Sequence, residues 1–266
     1  MQNYTKCKFC IIQGSKSVQF VDFLLILRYL GEIRYTYIYY KGCDTMSIKD
    51  VREKNRNTVR CAICCAVILL WGLTYGWVPG LASITLTHIP VLICCMLFGL
   101  KEALIFGTCF GLVSFIRCFI TPDVFANVVL GTSANNFGPL NVLYIMLLIF
   151  LPRILAALFA YLVYSAFARI KNRTVGSFVG SGIGAAIGSL TNTVLFLGGF
   201  YLVCGKQLAA VAHEAGFISE ATMKALLACL LAVAGTNGVL EAVIAVVVCV
   251  AAVYPLRRIL KSDSVK

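Results

Sequence analysis

Six long apolar stretches, separated by shorter polar connections, occupy the chain between about residue 58 and residue 256. Apolar runs of this kind are typical of helices that cross or lie within a membrane. The pattern predicts six helices, at Thr58–Gly76, Ile89–Leu100, Glu102–Phe119, Val142–Ala168, Gly176–Val203 and Leu226–Leu256. The second helix is short for a full span, so part of it is expected to pack inside the protein.

Basic residues fall in every second connection, which predicts the direction of the helices. Of 17 Lys and Arg from Met46 onward, 13 lie in one alternating set of connections and termini, and two, Lys206 and Lys224, lie in the opposite set. By the positive-inside rule both termini are predicted to be cytoplasmic, and connections 77–88, 120–141 and 204–225 to face outward. We therefore predict an all-α, polytopic membrane protein with six transmembrane helices.

Composition supports the membrane class. The 266 residues are 60% hydrophobic and 13% charged, with a mean hydropathy of +0.90, whereas a soluble domain carries roughly 25% charged residues. The net charge of +12 clusters beside the apolar stretches. We interpret it as an orientation signal and a contact for anionic lipids, not as a nucleic-acid interface.

The first 45 residues differ from the rest. Their one apolar patch, Val18–Leu30, is short and is broken by Asp22 and Arg28, so it is neither a membrane span nor a typical signal peptide. At Met46 the sequence becomes a charged segment that leads into the first helix. We expect Met46 to be the natural initiator, with residues 1–45 a non-native or disordered extension and residues 46–266 the membrane domain.

Polar side chains inside the apolar helices are the candidate site, because charges in a bilayer are costly unless paired or solvated. The candidates are Arg153, Asn192, Asn237, Glu241, Thr191, Arg117 and His88. Several have structural alternatives: Arg153 and Glu241 as a buried ion pair, Asn192 as a bridge between helices, Arg117 snorkelling to the interface, and His88 as a cap. The functional interpretation is an outward-facing pocket whose basic group suits a carboxylate-bearing solute.

Small residues at spacing four predict close helix packing. One helix carries Gly176, Gly180, Gly184 and Gly188, and another carries Gly107 and Gly111. Ala62 and Ala66 form a similar smooth stripe on the first helix, for internal packing or for a partner.

Motifs for catalysis and cofactors are missing from the sequence. It has no phosphate-binding Gly-x-x-x-x-Gly-Lys motif, no His-Glu-x-x-His and no Gly-x-Ser-x-Gly. The thirteen cysteines show no paired zinc spacing, so most are interpreted as packing residues. We expect no enzyme activity, no cofactor and no metal site.

Six short motifs resemble the substrate-binding S components of energy-coupling factor (ECF) vitamin transporters. They are Thr87-His-Ile-Pro, Leu97-Phe-Gly, Gly107-x-x-x-Gly-Leu-x-Ser-Phe, Pro152-Arg, Gly188-Ser-Leu-Thr-Asn-Thr and Asn237-Gly-x-x-Glu-Ala. The resemblance covers about residues 57–260 and is greatest to the group associated with pantothenate uptake.

The resemblance implies a six-helix protein of a prokaryotic plasma membrane that binds a vitamin at its outer face. Its partners would be a transmembrane coupling protein, contacted through Ala62 and Ala66, and two cytoplasmic ATPases. Arg153, with Arg117 as a weaker candidate, would meet the acidic group of the ligand. Asn192, Asn237 and Thr191 would bond its polar body, and Glu241 would orient Arg153 or accept from a hydroxyl.

Other ligands and other functions remain open. Folate, riboflavin or another vitamin would fit the same family. An ion-coupled secondary transporter of a small organic acid is one alternative, with Glu241 as its obvious intramembrane carboxylate. An intramembrane enzyme is another, although the sequence offers no catalytic group for it.

Overall fold

The computed structural model describes residues 48–74, 77–78, 84–120, 123–129 and 141–262. The predicted extension 1–45 and Met46 lie outside these residues, so the prediction of a start at Met46 stays a prediction. The chain divides into two compact units at the boundary between Thr58 and Val59, and the described part of the first unit, residues 48–58, is helical.

The described residues are almost entirely helical. The helices are α1 (Ile48–Thr74), α2 (His88–Leu97), α3 (Leu100–Ile120), α4 (Val124–Val129), α5 (Asn141–Phe167), α6 (Arg173–Glu214), α7 (Met223–Val233) and α8 (Val239–Ser262), with a π-helical turn, Ala234–Gly238, joining α7 to α8. Strands β1 (Trp77–Val78) and β2 (Ile84–Thr85) form a two-residue antiparallel pair in the connection after α1.

Within the described residues, five stretches are long and apolar enough to cross a membrane. They are Lys54–Thr74, Leu100–Ile120, Met146–Phe167, Arg173–Glu214 and Met223–Leu260. The second predicted helix corresponds to α2, whose ten residues are too few to span and are mostly buried. The expectation that this segment packs inside the protein is therefore confirmed.

The predicted end of the fifth helix at Val203 coincides with a break in the helix, but the prediction that the residues up to Glu214 belong to a connection is wrong. The backbone of Cys204 leaves helical geometry (φ −121°, ψ 18°), but α6 continues beyond this kink to Glu214. The continuation is amphipathic, since Leu208, Ala209 and Ala212 pack into a core cluster with Leu226 of α7. The polar residues of this segment are typical of a loop, which led to the predicted connection 204–225. The connection in the structure comprises only residues 215–222.

Local capping sets the bounds of α6 and α7. Asn172 accepts hydrogen bonds from the backbone N–H groups of Thr174 and Val175 at the start of α6. At the other end Gly216 adopts a positive φ of 76°, and the Phe217 N–H bonds back to the Ala212 carbonyl. The Thr222 hydroxyl then accepts from Ala225 to begin α7.

The glycine positions pack helices closely, as predicted. A Cβ atom at Gly107 of α3 would lie 2.7 Å from the Ile154 Cα of α5. One at Gly188 of α6 would lie 2.6 Å from Leu92 Cδ2 of α2 and 2.9 Å from the Ala160 Cβ. The small residues thus let α5 approach α3 and α6 at backbone distance, where dispersion replaces the hydrophobic effect as the packing force.

Candidate functional site

A cavity of about 220 Å³ lies at the end of the bundle where α3 ends and α4 follows. It is bordered by residues of α3, α4, α5, α6, α7, α8 and the π-helical turn. Its lining residues are Thr87, Phe110, Val113, Ser114, Arg117, Cys118, Asp123, Phe125, Ala126, Val129, Ile149, Arg153, Asn192, Thr193, Phe196, Leu197, Phe200, Val233, Asn237, Gly238 and Glu241.

Arg153 is the principal charge in the cavity wall. Its side chain is buried, with 8% of its surface exposed, and its guanidinium carbon lies 4.0 Å from the centre of the Phe196 ring and 5.8 Å from that of Phe110. Its Nε and Nη1 atoms have no hydrogen-bond partner among the described residues. Ring faces stabilise a cation but do not satisfy its N–H donors. The side chain therefore offers unused donors to an anion.

The predicted alternative, an ion pair between Arg153 and Glu241, would leave most of the guanidinium donors unused. Glu241 lies in the same cavity wall and is 5% exposed, yet two of the three guanidinium nitrogens lack a partner in the described part of the chain. A buried ion pair stabilises a bundle only when its hydrogen bonds are made.

Asn192 supplies an unused acceptor to the same cavity. Its side chain is buried, and its Oδ1 atom has no hydrogen-bond partner within the described ranges. It lies one helical turn before Phe196 on α6, so both residues share one face. A buried acceptor without a donor costs about 1–3 kcal/mol, which a ligand hydroxyl or amide N–H would recover.

The π-helical turn brings Asn237 and Gly238 to the cavity wall. Asn237 and Glu241 are four residues apart and both line the cavity. The turn packs directly on α6, because a Cβ atom at Gly238 would lie 2.9 Å from Thr193 Cγ2. Single π turns inside α-helices are common at functional sites, and this one widens the helix where two polar residues face the cavity.

Arg117 joins the cavity wall to α1. Its Nη1 atom donates a hydrogen bond to the Gly72 carbonyl oxygen, at 3.3 Å. A Cβ atom on Gly72 would lie 2.4 Å from Val113 Cγ1 and 2.8 Å from Thr87 Cγ2. Val113, Thr87 and Arg117 all line the cavity. Arg117 thus holds a neighbouring helix as well as facing the cavity.

Two predicted site residues, Thr191 and His88, do not line the cavity. His88 is buried, with its Nε2 3.3 Å from the Ser189 Oγ, and so joins α2 to α6. Thr193, two residues after Thr191, and Thr87, the residue before His88, line the cavity instead. Each residue along a helix turns the side chain by about 100°, so a shift of one or two positions changes the face it occupies, and sequence alone does not fix that rotation.

Sequence reasoning missed the aromatic part of the wall. Phe125 of α4 lies 5.1 Å from Phe196 and 5.2 Å from Phe200, and Phe196 lies 4.8 Å from Phe200, measured between ring centres. The available signal was the spacing of four between Asn192, Phe196 and Phe200, which places all three on one face of α6.

The predicted interface residues lie outside the cavity, and the side chains of the cavity wall suit an organic ligand. Ala62 and Ala66 are exposed on α1, away from the cavity. Among the described residues, no group of three or more His, Cys, Asp or Glu side chains has the geometry to hold a metal ion. The cavity is therefore suited to a small polar molecule with an anionic group, bound by an arginine, amides and aromatic rings.

The fold and the cavity define a multi-helix membrane protein with an internal binding site for a small molecule. The family model for the ECF transporter substrate-specific component matches residues 56–253, so the chain belongs to that family. It is also similar to the pantothenic acid transporter PanT of Lactococcus lactis subsp. cremoris, with 32% identity over 181 residues, which cover 65% of this chain and 78% of the relative. The family consists of substrate-binding transport components, not enzymes.

Proposed function

We propose that this protein captures pantothenate at the outer face of a prokaryotic plasma membrane for ATP-driven import by an ECF complex. Membership of the substrate-specific component family and the similarity to a pantothenic acid transporter support the proposal. The single observation that carries the choice of an acidic ligand is the buried Arg153, whose Nε and Nη1 donors find no partner in the described residues.

The cavity chemistry matches the functional groups of pantothenate. Its carboxylate would take the forked donors of Arg153. Its amide N–H or a hydroxyl would donate to the Asn192 Oδ1, and the other hydroxyl would bond Asn237 or Glu241. The methyl groups would lie on the aromatic wall. A cavity of about 220 Å³ is small among ligand sites, which favours this compact acid over folate or riboflavin with their large ring systems.

The proposed topology has six helices and cytoplasmic termini. α2 counts as the sixth helix and packs inside the bundle, and the basic residues at the end of α8 and between α5 and α6 face the cytoplasm. The cavity then opens outward, beside the connections after α3 and α6. The exposed Ala62 and Ala66 would contact the coupling protein, which in turn binds two ATPases.

The first test is identification of the ligand. The full chain would be purified in mild detergent, and small molecules released by denaturation would be identified by mass spectrometry. We expect pantothenate in stoichiometric amount, and calorimetric titration of the emptied protein with pantothenate should show tight binding. A different vitamin would overturn the ligand and keep the class, and no binding across a vitamin panel would overturn the proposal.

The second test separates the energy sources. Pantothenate uptake would be measured in cells that express the chain with and without the coupling protein and ATPases. We expect uptake only with the partners. Uptake that persists without them and collapses with an ionophore would instead establish the ion-coupled transporter, for which the buried Glu241 would be the proton carrier.

A further inference from the structure

Asp123 brings a second negative charge, besides Glu241, to the wall of the cavity. It lies three residues beyond α3, directly before α4, and lines the cavity together with Arg117, Arg153 and Glu241. Arg153 and Glu241 are 8% and 5% exposed, whereas Asp123 is an exposed residue. A residue that both lines a cavity and meets solvent borders its opening. Asp123 therefore lies at the mouth of the cavity, and the guanidinium of Arg153 lies deeper.

Only part of the Asp123 carboxylate is used in the fold. Its Oδ1 atom accepts a hydrogen bond of 2.7 Å from the Ala126 N–H and so caps the first turn of α4. Among the described residues, its Oδ2 atom has no hydrogen-bond partner and the carboxylate forms no ion pair. A carboxylate oxygen of this kind accepts a hydrogen bond from a ligand hydroxyl and repels a ligand anion.

We propose that Asp123 is a specificity residue, which makes the cavity select ligands that are anionic at the deep end and carry an uncharged hydroxyl at the mouth. This role of Asp123 rests on the proposed function, in which the pantothenate carboxylate binds Arg153. The primary hydroxyl of pantothenate is at the opposite end of the molecule from its carboxylate, so it would reach the mouth. Asp123 accepts a hydrogen bond from that hydroxyl and excludes the same molecule once the hydroxyl carries phosphate.

The phosphate ester of the primary hydroxyl is therefore the informative probe. Phosphorylation replaces a hydrogen-bond donor by a group that carries about −1.5 to −2 charges at neutral pH. The ester would bring like charges together at Asp123, and such a juxtaposition opposes binding. Because the mouth is exposed, salt should screen part of this repulsion. The protein would thus capture the free acid and reject its phosphorylated form.

Calorimetric titration of the full chain in mild detergent, with pantothenate and with its phosphate ester, tests this role. In the parent we expect the ester to bind roughly 100-fold more weakly than pantothenate. Asp123→Asn removes the charge and keeps a capping acceptor for α4. It should weaken pantothenate binding about 2- to 5-fold and strengthen ester binding roughly 10-fold, with a smaller gain at high salt. Glu220→Gln, the same change at an exposed acid between α6 and α7 that does not line the cavity, should change neither affinity.

Two further measurements separate charge from shape. The neutral methyl ether of the same hydroxyl enlarges the ligand without adding charge, so Asp123→Asn should not improve its binding. Asp123→Ala removes the charge and the cap together, and it should admit the ester as the Asn variant does. Loss of affinity for every ligand in the Ala variant, with no gain for the ester in either variant, would mean that Asp123 serves only to cap α4.

The outcomes distinguish this role from the proposed function. Tight pantothenate binding in the parent, with equal affinity for the ester or with a selectivity that Asp123→Asn leaves unchanged, would overturn the role of Asp123 and leave the proposed function standing. Absence of pantothenate binding in the parent would refute the proposed function and the role of Asp123 with it.

Discussion

At the scale of single residues, Arg153 is expected to destabilise the ligand-free protein and to contribute strongly to ligand binding in the proposed complex. It is buried, it stacks on Phe196, and its Nε and Nη1 donors lack partners in the described part of the chain. A charge in that position carries a desolvation cost that an anionic ligand would offset.

Replacing Arg153 by Gln should therefore weaken ligand binding without lowering the stability of the ligand-free protein. We expect pantothenate affinity to fall roughly 10- to 100-fold, as for the loss of a charge-assisted hydrogen bond. The thermal midpoint of the ligand-free protein should not fall, because a poorly satisfied buried charge is removed. Calorimetric titration and thermal unfolding in detergent measure the two effects. Arg258→Gln, at an exposed site on α8, is the control and should change neither.

A lower thermal midpoint with unchanged affinity would mean that Arg153 holds the bundle together and does not bind the ligand. Arg153→Lys refines the result, since it keeps the charge and loses the planar fork. Its affinity should lie between those of the parent and the Gln variant.

Asn192 and Thr191 provide a matched pair of neighbours, one lining the cavity and one outside it. Asn192→Ala should weaken pantothenate binding by about 3- to 30-fold, because a ligand donor loses its acceptor. Thr191→Val should have no effect on affinity. Titration of both variants decides the matter, and equal losses in the two would argue that α6 is rotated from the orientation described above.

Several cavity residues could be predicted from sequence because a polar side chain in an apolar run is conspicuous. Arg153, Asn192, Asn237, Glu241 and Arg117 all line the cavity. The rotation of each helix could not be predicted, since it depends on packing against neighbours distant in sequence. For that reason Thr191 and His88 were chosen, whereas Thr193, two residues after Thr191, and Thr87, next to His88, line the cavity.

At the scale of helices, the sequence predicted the existence of the apolar elements better than their ends. Apolar runs and glycine spacing report directly on burial and close approach. The helical segment after the kink at Cys204 was missed because Lys206, Gln207 and Glu214 suggest a loop, while Leu208 and Ala212 of the same segment pack into the core. The π-helical turn was also missed, since no sequence signal marks the extra residue that it accommodates.

Glycine packing gives a prediction at this scale. Gly107→Ala would place a Cβ atom 2.7 Å from the Ile154 Cα, a backbone atom that cannot turn aside. We expect a stability loss of about 1–3 kcal/mol from overpacking, read as a lower thermal midpoint in detergent. Gly198→Ala on α6 is the control, because a Cβ there would meet nothing within 4 Å.

The control should be neutral or stabilising, as Ala favours a helix over Gly by up to about 1 kcal/mol. Equal midpoints for the Gly107 and Gly198 variants would show that α3 and α5 are not held at backbone contact. The glycine spacing would then be a composition effect without a packing role.

At the scale of the whole molecule, α1 stands between the ligand site and the proposed partner. Its C-terminal end is held by the hydrogen bond from Arg117 to the Gly72 carbonyl, and Arg117 also faces the cavity. Ala62, Ile63, Ala66 and Val67 are exposed on the same helix. Small residues on an exposed membrane helix leave room for another helix to approach. Because these residues are exposed, that helix would have to come from a partner.

Enlarging this stripe should separate complex assembly from ligand capture. We expect Ala66→Leu, and more strongly Ala62→Leu with Ala66→Leu, to reduce co-purification with the coupling protein and ATPases and to reduce uptake several-fold. Pantothenate affinity and thermal stability of the isolated protein should stay unchanged, because neither alanine is buried or lines the cavity. Val67→Leu, a similar enlargement at an already bulky exposed position, should have a much smaller effect. If the alanine variants assemble and transport like the parent, the partner must dock elsewhere, and the smooth face of α1 would be left to lipid.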